Sequence, residues 1–168
     1  GFVYHNIEHT REVVQNCIEI GTKTELSDAE METLLLAAWF HDLGYTTTYR
    51  GHEDESKAMA RSFMTERSMG EEQIAQVLET IEATKLDHVP HSVLENVIKD
   101  ADLYNLGTPE AFDNSQKLRE EWAHFLHQEY SEESWAELNY NFFKEYRFFT
   151  DYAQETLTEQ KDKNVKKL

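Results

Sequence analysis

The hydrophobic residues of the chain recur every three or four positions, which is the spacing of amphipathic helices. In the first third of the chain this pattern predicts one helix from about Ile7 to Gly21 and a second from Ser27 to Gly44. The segment from Ser27 to Glu30 has the form of a capping box, in which both side chains satisfy free amides at a helix start. Because the second helix is apolar on all sides from Leu34 to Phe40, we expect it to be central and buried.

The same spacing predicts five further helices downstream. The third ends near Gly70, and the turn at Val89-Pro90 separates the fourth from the fifth. Thr108 followed by Pro109 indicates the start of the sixth, and Ser131 or Ser134 caps one long last helix. The apolar positions of the fourth to last helices are Ile74, Val77, Leu78, Ile81; Leu94, Val97, Ile98, Ala101; Phe112, Leu118, Trp122, Phe125, Leu126; and Trp135, Leu138, Phe142, Tyr146, Phe149, Ala153. We expect the aromatic series from Trp122 to Phe149 to pack in a core.

The composition agrees with a helical protein. The chain has 6 Gly and 2 Pro in 168 residues, against roughly 20 expected from average usage. We therefore predict an all-α fold, a compact bundle of about six to eight helices. No repeat, low-complexity tract or flexible linker divides the sequence. A single domain over residues 1–168 is the natural interpretation, with helices of 107–168 packing on a core within 4–106.

The charge is strongly negative and limits the partners. Asp and Glu total 33 against 16 Lys and Arg, a net charge of −17. Long nucleic acid and anionic lipid both require a basic surface, so we expect neither as a partner. The longest apolar run, Leu34 to Phe40, is far shorter than the roughly 20 residues of a membrane span. The sequence does not indicate whether the protein forms homo-oligomers.

The cysteine count and the first residues bear on location. A single cysteine, Cys17, cannot form an internal disulfide, which favours a reducing cytoplasm and a small core side chain. No positively charged leader with an apolar core opens the chain, so we expect no secretory signal. The sequence begins at Gly1 and enters a motif almost at once, and we therefore expect a piece trimmed from a longer protein.

The most informative chemical feature is the pair His41-Asp42 at the end of the most apolar helix. A carboxylate is unfavourable there because the helix end already carries partial negative charge. Burying Asp42 without a partner would cost several kcal/mol of folding free energy. A divalent cation shared with His41 would remove that cost, whereas an exposed helix end with a solvated Asp42 would need no cation.

Three segments, in this order, resemble the motifs of the HD superfamily of metal-dependent phosphohydrolases. These proteins are all-helical, and some bacterial members consist of this domain alone. The three segments are Tyr4 to Thr10, Phe40 to Gly44, and Ile98 to Leu103. The resemblance implies one divalent cation held by His9, His41, Asp42 and Asp102. The helical spacing agrees, because His9 precedes Val13 by four positions and Asp102 follows Ile98 by four. Asp100 is an outside candidate, expected instead to be solvated or to support a ligand.

The resemblance also implies a possible second metal ion, which would share Asp42 with the first. His52, which opens the third helix, and His88, between the fourth and fifth, are the candidate ligands. The alternatives are that His52 merely starts a helix and that His88 is an ordinary loop residue. His5 is a candidate for substrate contact or for a structural role. Ligand sets of imidazole and carboxylate accept Mn, Fe, Ni, Zn or Mg. We therefore expect one or two divalent ions per chain, with no preference among these metals.

The expected reaction is hydrolysis of a phosphate ester of a small molecule, such as a nucleotide, by metal-activated water. The candidate catalytic residues are Asp42 and Glu53, with Glu55 as a weaker general base. Cationic clamps for phosphate are sought among Arg50, Lys57, Lys85, Arg119 and Arg147, while the lysines from Lys161 onward fit a solvated tail. Two alternatives stay open: a dinuclear iron oxygenase that uses His52 and His88, and a non-catalytic module that senses a nucleotide or holds a partner.

Overall fold

The computed structural model describes residues 1–168 and contains eight α-helices and no strand. The helices are α1 (Ile7–Lys23), α2 (Asp28–Phe40), α3 (His52–Glu66), α4 (Glu71–Glu82), α5 (Val93–Asp102), α6 (Ala111–Leu126), α7 (Glu132–Glu145) and α8 (Asp151–Val165). Short 3-10 turns at Leu43–Thr46 and Tyr104–Gly107 follow α2 and α5. The all-α prediction and the number of helices are confirmed. None of the helices is long and apolar enough to cross a membrane.

The main hydrophobic core is built by α1 to α5. Helix α2 packs against α1, α3, α4 and α5, and its Leu34, Ala37 and Ala38 are fully buried. The predicted central position of α2 is therefore confirmed. Burial on every side is not, because Trp39 is 45% exposed. Ser27 accepts a hydrogen bond from the backbone N–H of Glu30 and completes the predicted capping box.

A second, smaller core lies between the 3-10 turn at Tyr104–Gly107 and helices α6 to α8. The prediction of one long last helix is wrong, because the chain leaves the helical path at Tyr146 and restarts at Asp151. The reason is a tertiary contact: Asp100 of α5 accepts the backbone N–H groups of Phe149 and Thr150 at 3.0 and 2.8 Å. These amides are therefore unavailable for a continuous helix.

Two further predictions at the C-terminal end are corrected. Helix α6 begins at Ala111, two residues after Pro109, because Thr108 is extended and its carbonyl accepts a hydrogen bond from the Asn164 side chain at 2.8 Å. The basic run is not a solvated tail from its start. Lys161 is only 2% exposed and its Nζ donates to the carbonyl of Phe143 at 3.0 Å.

Candidate functional site

Four side chains from three separate segments meet at one point. His9 lies in the first turn of α1, His41 and Asp42 directly follow α2, and Asp102 ends α5. His9 Nε2 lies 3.1 Å from Asp102 Oδ1 and 3.4 Å from Asp42 Oδ2. His41 Nε2 lies 3.2 Å from Asp42 Oδ2 and 3.5 Å from Asp102 Oδ1. Two imidazole nitrogens therefore face two carboxylate oxygens within a few ångströms.

Local structure fixes these side chains in place. Asn6 caps α1 by accepting the backbone N–H groups of Glu8 and His9, which sets the first turn that carries His9. After α2, the 3-10 turn is held against α3 because Gly44 N–H donates to Ser56 Oγ at 2.8 Å. A side chain at Gly44 would bring its Cβ within 1.9 Å of the His52 carbonyl oxygen. Glycine at this position therefore lets the start of α3 approach Asp42.

The ring of His41 is oriented by a backbone contact. Its Nδ1 donates to the carbonyl of Ala38 at 2.7 Å, so in the neutral ring Nε2 carries a free lone pair. Hydrogen-bonding of one ring nitrogen to a carbonyl is the arrangement that prepares the other to bind a metal.

The electrostatics of the four side chains call for positive charge. Burial alone would lower the pKa of His41, but the nearby carboxylates of Asp42 and Asp102 raise it well above its usual value. The pKa of His9 is likewise raised against the effect of burial by its hydrogen bond with Asp102 and by the charge of Asp42. Burial would raise the pKa of both carboxyl groups, yet the nearby histidines hold the pKa of Asp42 and of Asp102 well below the usual range.

A divalent cation fits this arrangement. His41 Nε2 and Asp42 Oδ2 are buried and form no hydrogen bond, which is costly for polar atoms unless something positive lies between them. Ligand atoms of His9, His41 and Asp42 all lie within 4.8 Å of one another. With bonds of about 2.1 Å, the ligands of one ion are separated by roughly 3.0–3.5 Å, similar to the contacts observed here. Asp102 approaches both histidines and can supply a fourth ligand.

The two candidates for a second metal site are separated by the structure. His52 Nε2 lies 3.4 Å from Asp42 Oδ1, the oxygen that does not face His9 and His41. His88 instead pairs through Nε2 with Glu95 Oε2 at 2.8 Å. The structure therefore brings His52 to Asp42 and does not bring His88 there, because Glu95 of α5 holds that ring.

Glu53 lies beside His52 at the start of α3. Its Oε2 is 3.6 Å from His52 Nδ1, and its side chain is largely buried at the edge of the cavity described below. A carboxylate in this place can accept a proton from a water molecule near Asp42.

Asp100 and Asp102 have different surroundings. Asp102 faces the histidines, whereas Asp100 is fully buried and accepts hydrogen bonds from Phe149, Thr150 and the Tyr146 hydroxyl. The expectation that Asp100 is solvated or supports a ligand is therefore wrong. Its carboxylate joins α5 to the start of α8.

His5 is held by a residue that the sequence did not single out. His5 Nδ1 donates to Glu121 Oε1, and the backbone N–H groups of Tyr4 and His5 donate to Glu121 Oε2 at 2.9 and 3.1 Å. The Tyr49 hydroxyl donates to the same carboxylate at 2.9 Å. Burial would raise the pKa of Glu121, but its interaction with His5, together with those backbone N–H groups, lowers it. Glu121 of α6 thus attaches the segment before α1 to the C-terminal helices.

A cavity of about 340 Å³ opens beside the four side chains. Asp42, Asp102, His5, His52 and Glu53 contribute to its lining, together with apolar side chains of α6 and α7. The latter are Leu118, Trp122, Trp135, Leu138 and Phe142. We expected the aromatic series to pack in a core, but Trp122 and Phe142 also form part of the cavity wall. Helical spacing could not reveal this, because a core and a cavity wall require the same apolar stripe.

The predicted cationic clamps are not brought to this cavity. No Lys or Arg lines it. Lys57 and Lys85 both pair with Glu82, at 2.5 and 2.7 Å, and Arg50 is exposed. The guanidinium groups of Arg119 and Arg147 donate to the backbone carbonyls of Tyr130 and Lys144. The structure therefore does not bring these five residues to the cavity lining, and their role in holding phosphate stays a prediction.

Comparison with known proteins gives one match. The family model described as HD domain matches residues 6–106, which contain all four converging side chains. Neither the curated proteins nor the solved structures include a significant match.

Proposed function

The chain belongs to the HD domain family, and from that premise we propose that it is a phosphohydrolase that cleaves a phosphate ester of a small molecule. HD domains bind divalent metals, and the group His9, His41 and Asp42 could hold one. The observation that carries the proposal is the pair of buried, unpartnered atoms His41 Nε2 and Asp42 Oδ2 among oppositely charged ligands. A site of this composition has a cation as its natural partner.

In the proposal His9, His41, Asp42 and Asp102 hold the ion. When bound, such an ion lowers the pKa of a water molecule and stabilises charge on a phosphoryl oxygen. The chain supplies the rest of the chemistry. Asp42 and Asp102 also line the cavity, so a molecule bound there would lie beside the ion they would hold.

Glu53 is the proposed proton acceptor. Its carboxylate lies next to His52 and lines the cavity, so it can orient an attacking water and take its proton. His5 lines the same cavity with its Nδ1 proton directed to Glu121. The other nitrogen, Nε2, can accept a hydrogen bond from the Tyr45 hydroxyl, which lies 3.3 Å away and also lines the cavity.

His52 is the proposed ligand of a second ion, through its contact with the outer oxygen of Asp42. Asp42 would then take part in holding both ions. The iron oxygenase alternative required both His52 and His88, and the pairing of His88 with Glu95 gives no support to that ligand set.

The test is release of inorganic phosphate. The protein is stripped with a chelator, reloaded with Mn²⁺, and assayed against nucleoside monophosphates, sugar phosphates and aryl phosphates. We expect phosphate release only from the reloaded protein and its loss in Asp42→Asn. The exposed His127, outside the site, gives the control His127→Ala, which should retain activity.

Two results would contradict the proposal. One is the binding of two irons with consumption of oxygen and no phosphate release, which would favour an oxygenase. The other is a metal-loaded protein that hydrolyses no ester yet is stabilised by a nucleotide, which would favour a sensing module.

A further inference from the structure

The cavity beside the candidate metal centre is chemically divided. The lining residues near the centre include the three acidic side chains of Asp42, Glu53 and Asp102, together with histidine and tyrosine rings. The remainder of the lining is mainly apolar and comes from Leu103, Leu118, Trp122, Leu138 and Phe142. A volume of about 340 Å³ is sufficient for a small organic molecule. The chemistry of the lining therefore limits which groups can be attached to the phosphoryl group of the substrate.

The apolar part offers few free hydrogen-bonding groups. Trp135 Nε1 donates to Ser115 Oγ at 2.8 Å, and the Asn139 side chain both accepts from Ser115 and donates to the Trp135 carbonyl. Their polar atoms are thus paired within the protein. A hydroxyl-rich sugar placed here would lose its hydrogen bonds to water without replacement, which is unfavourable.

The charges of the cavity argue against a substrate with several phosphates. Its acidic side chains are Asp42, Glu53 and Asp102, and no Lys or Arg lines it. One phosphoryl group can be neutralised by a cation at the centre. Beyond the metal centre the lining is mainly apolar, so a second or third phosphate placed there would have no positive partner.

We infer that the substrate is a phosphomonoester with one phosphoryl group and a predominantly apolar alkyl or aryl remainder. This inference rests on the proposed phosphohydrolase function and names its substrate class. The phosphoryl group lies at the metal centre, and the apolar remainder contacts Trp122, Leu138 and Phe142. Leu86, which also lines the cavity and is 64% exposed, would be covered by that remainder.

The test uses a homologous series of n-alkyl phosphates from methyl to hexyl phosphate. The alcohols they release are nearly equal in acidity, so differences in kcat/KM report contacts of the alkyl chain rather than leaving-group chemistry. We expect kcat/KM to rise two- to fourfold per methylene, the range set by burial of one CH₂ group. Hexyl phosphate should also exceed glucose 6-phosphate and ATP by at least about tenfold.

A binding measurement gives an independent readout. The n-alkylphosphonates cannot be hydrolysed, and two of the three tryptophans, Trp122 and Trp135, line the cavity. Tryptophan fluorescence should therefore change on binding, with an affinity that increases two- to fourfold per methylene.

Two variants on α7 provide a matched comparison. Leu138 lines the cavity and is 39% exposed, whereas Tyr140 is 37% exposed and does not line it. Leu138→Asn should reduce the ratio of kcat/KM for hexyl over methyl phosphate at least about fivefold. Tyr140→Asn should leave that ratio unchanged.

The outcomes separate the inference from the function on which it rests. Hydrolysis of the esters without dependence on chain length, or preference for ATP, would overturn the inference and leave the phosphohydrolase function standing. Chain-length-dependent binding of phosphonates without hydrolysis of any ester would overturn the function and retain the apolar ligand class. An unchanged ratio in Leu138→Asn would contradict the assigned cavity wall.

Discussion

Replacing Glu121 with glutamine tests whether the C-terminal helices organise the candidate site. The Glu121 carboxylate is buried and accepts four hydrogen bonds, from the backbone of Tyr4 and His5, the His5 ring and the Tyr49 hydroxyl. Glutamine keeps the shape of the side chain but has one acceptor oxygen and no charge. Two of the four donors must then change their partner or, for His5, the nitrogen that carries the proton.

The magnitude follows from the kind of bond lost. Hydrogen bonds to a charged group contribute about 1.5–3 kcal/mol each, and neutral ones about 0.5–1.5 kcal/mol. Weakening two to four bonds by roughly 1 kcal/mol each predicts a loss of about 3 kcal/mol from the free energy of unfolding. For a chain of this size the corresponding fall in Tm is roughly 6–12 °C.

The effect should depend on pH in one direction. The pKa of Glu121 is lower in the folded protein than in the unfolded chain. Its stabilisation is therefore fully present above the unfolded value, about 4.3, and is lost as the pH falls toward the folded pKa. The difference between wild type and Glu121→Gln should be constant from pH 6 to 8 and shrink below about pH 4.5.

Urea unfolding across this pH range is the assay, with Glu120→Gln as the matched control. Glu120 is the adjacent residue and is exposed, so its variant should match wild type within about 0.5 kcal/mol. Equal stability of Glu121→Gln and wild type at pH 7 would show that the Glu121 carboxylate does not stabilise the fold. A difference that grows as the pH falls would refute the assigned sign.

Three more substitutions test other parts of the account. Glu53→Gln should lower kcat for phosphate esters about 100-fold or more while metal content is unchanged, as steady-state kinetics and metal analysis would show. Gly44→Ala should destabilise the fold by about 3 kcal/mol in urea unfolding, because its Cβ would collide with the carbonyl of His52. Asp100→Ala should cost about 3–5 kcal/mol in the same assay, since the backbone amides of Phe149 and Thr150 lose their buried partner. Full stability of either variant would contradict the corresponding contact.

The sequence was sufficient for the features that depend on local pattern. Helical spacing and the capping box at Ser27 predicted α1 to α5 closely. The ligand set His9, His41, Asp42 and Asp102 was implied by short motifs in order. That these side chains meet follows from their place in the first turn of α1 and at the ends of α2 and α5. The assignment of residues 1–168 to one domain stays our proposal.

Features created by contacts between distant segments were not predicted. The break between α7 and α8 depends on Asp100, which is about 50 residues away in sequence, and no pattern around Tyr146 announces it. Glu121 could have been suspected. It lies three positions after Leu118 and four before Phe125, so it interrupts an apolar stripe with a carboxylate. The partners of the basic residues were not predicted either, because only the fold brings Glu82 near Lys57.

Metal content of ligand variants tests whether His9, His41, Asp42 and Asp102 form a metal centre. Wild type, His41→Ala, Asp102→Ala and the control His88→Ala are loaded with Mn²⁺, freed of excess by gel filtration, and analysed for metal per chain. We predict at least one ion in wild type and in His88→Ala, whose ring pairs with Glu95. Both ligand variants should lose at least one ion per chain while remaining helical by circular dichroism. Full metal content in His41→Ala and Asp102→Ala would contradict the assigned metal centre.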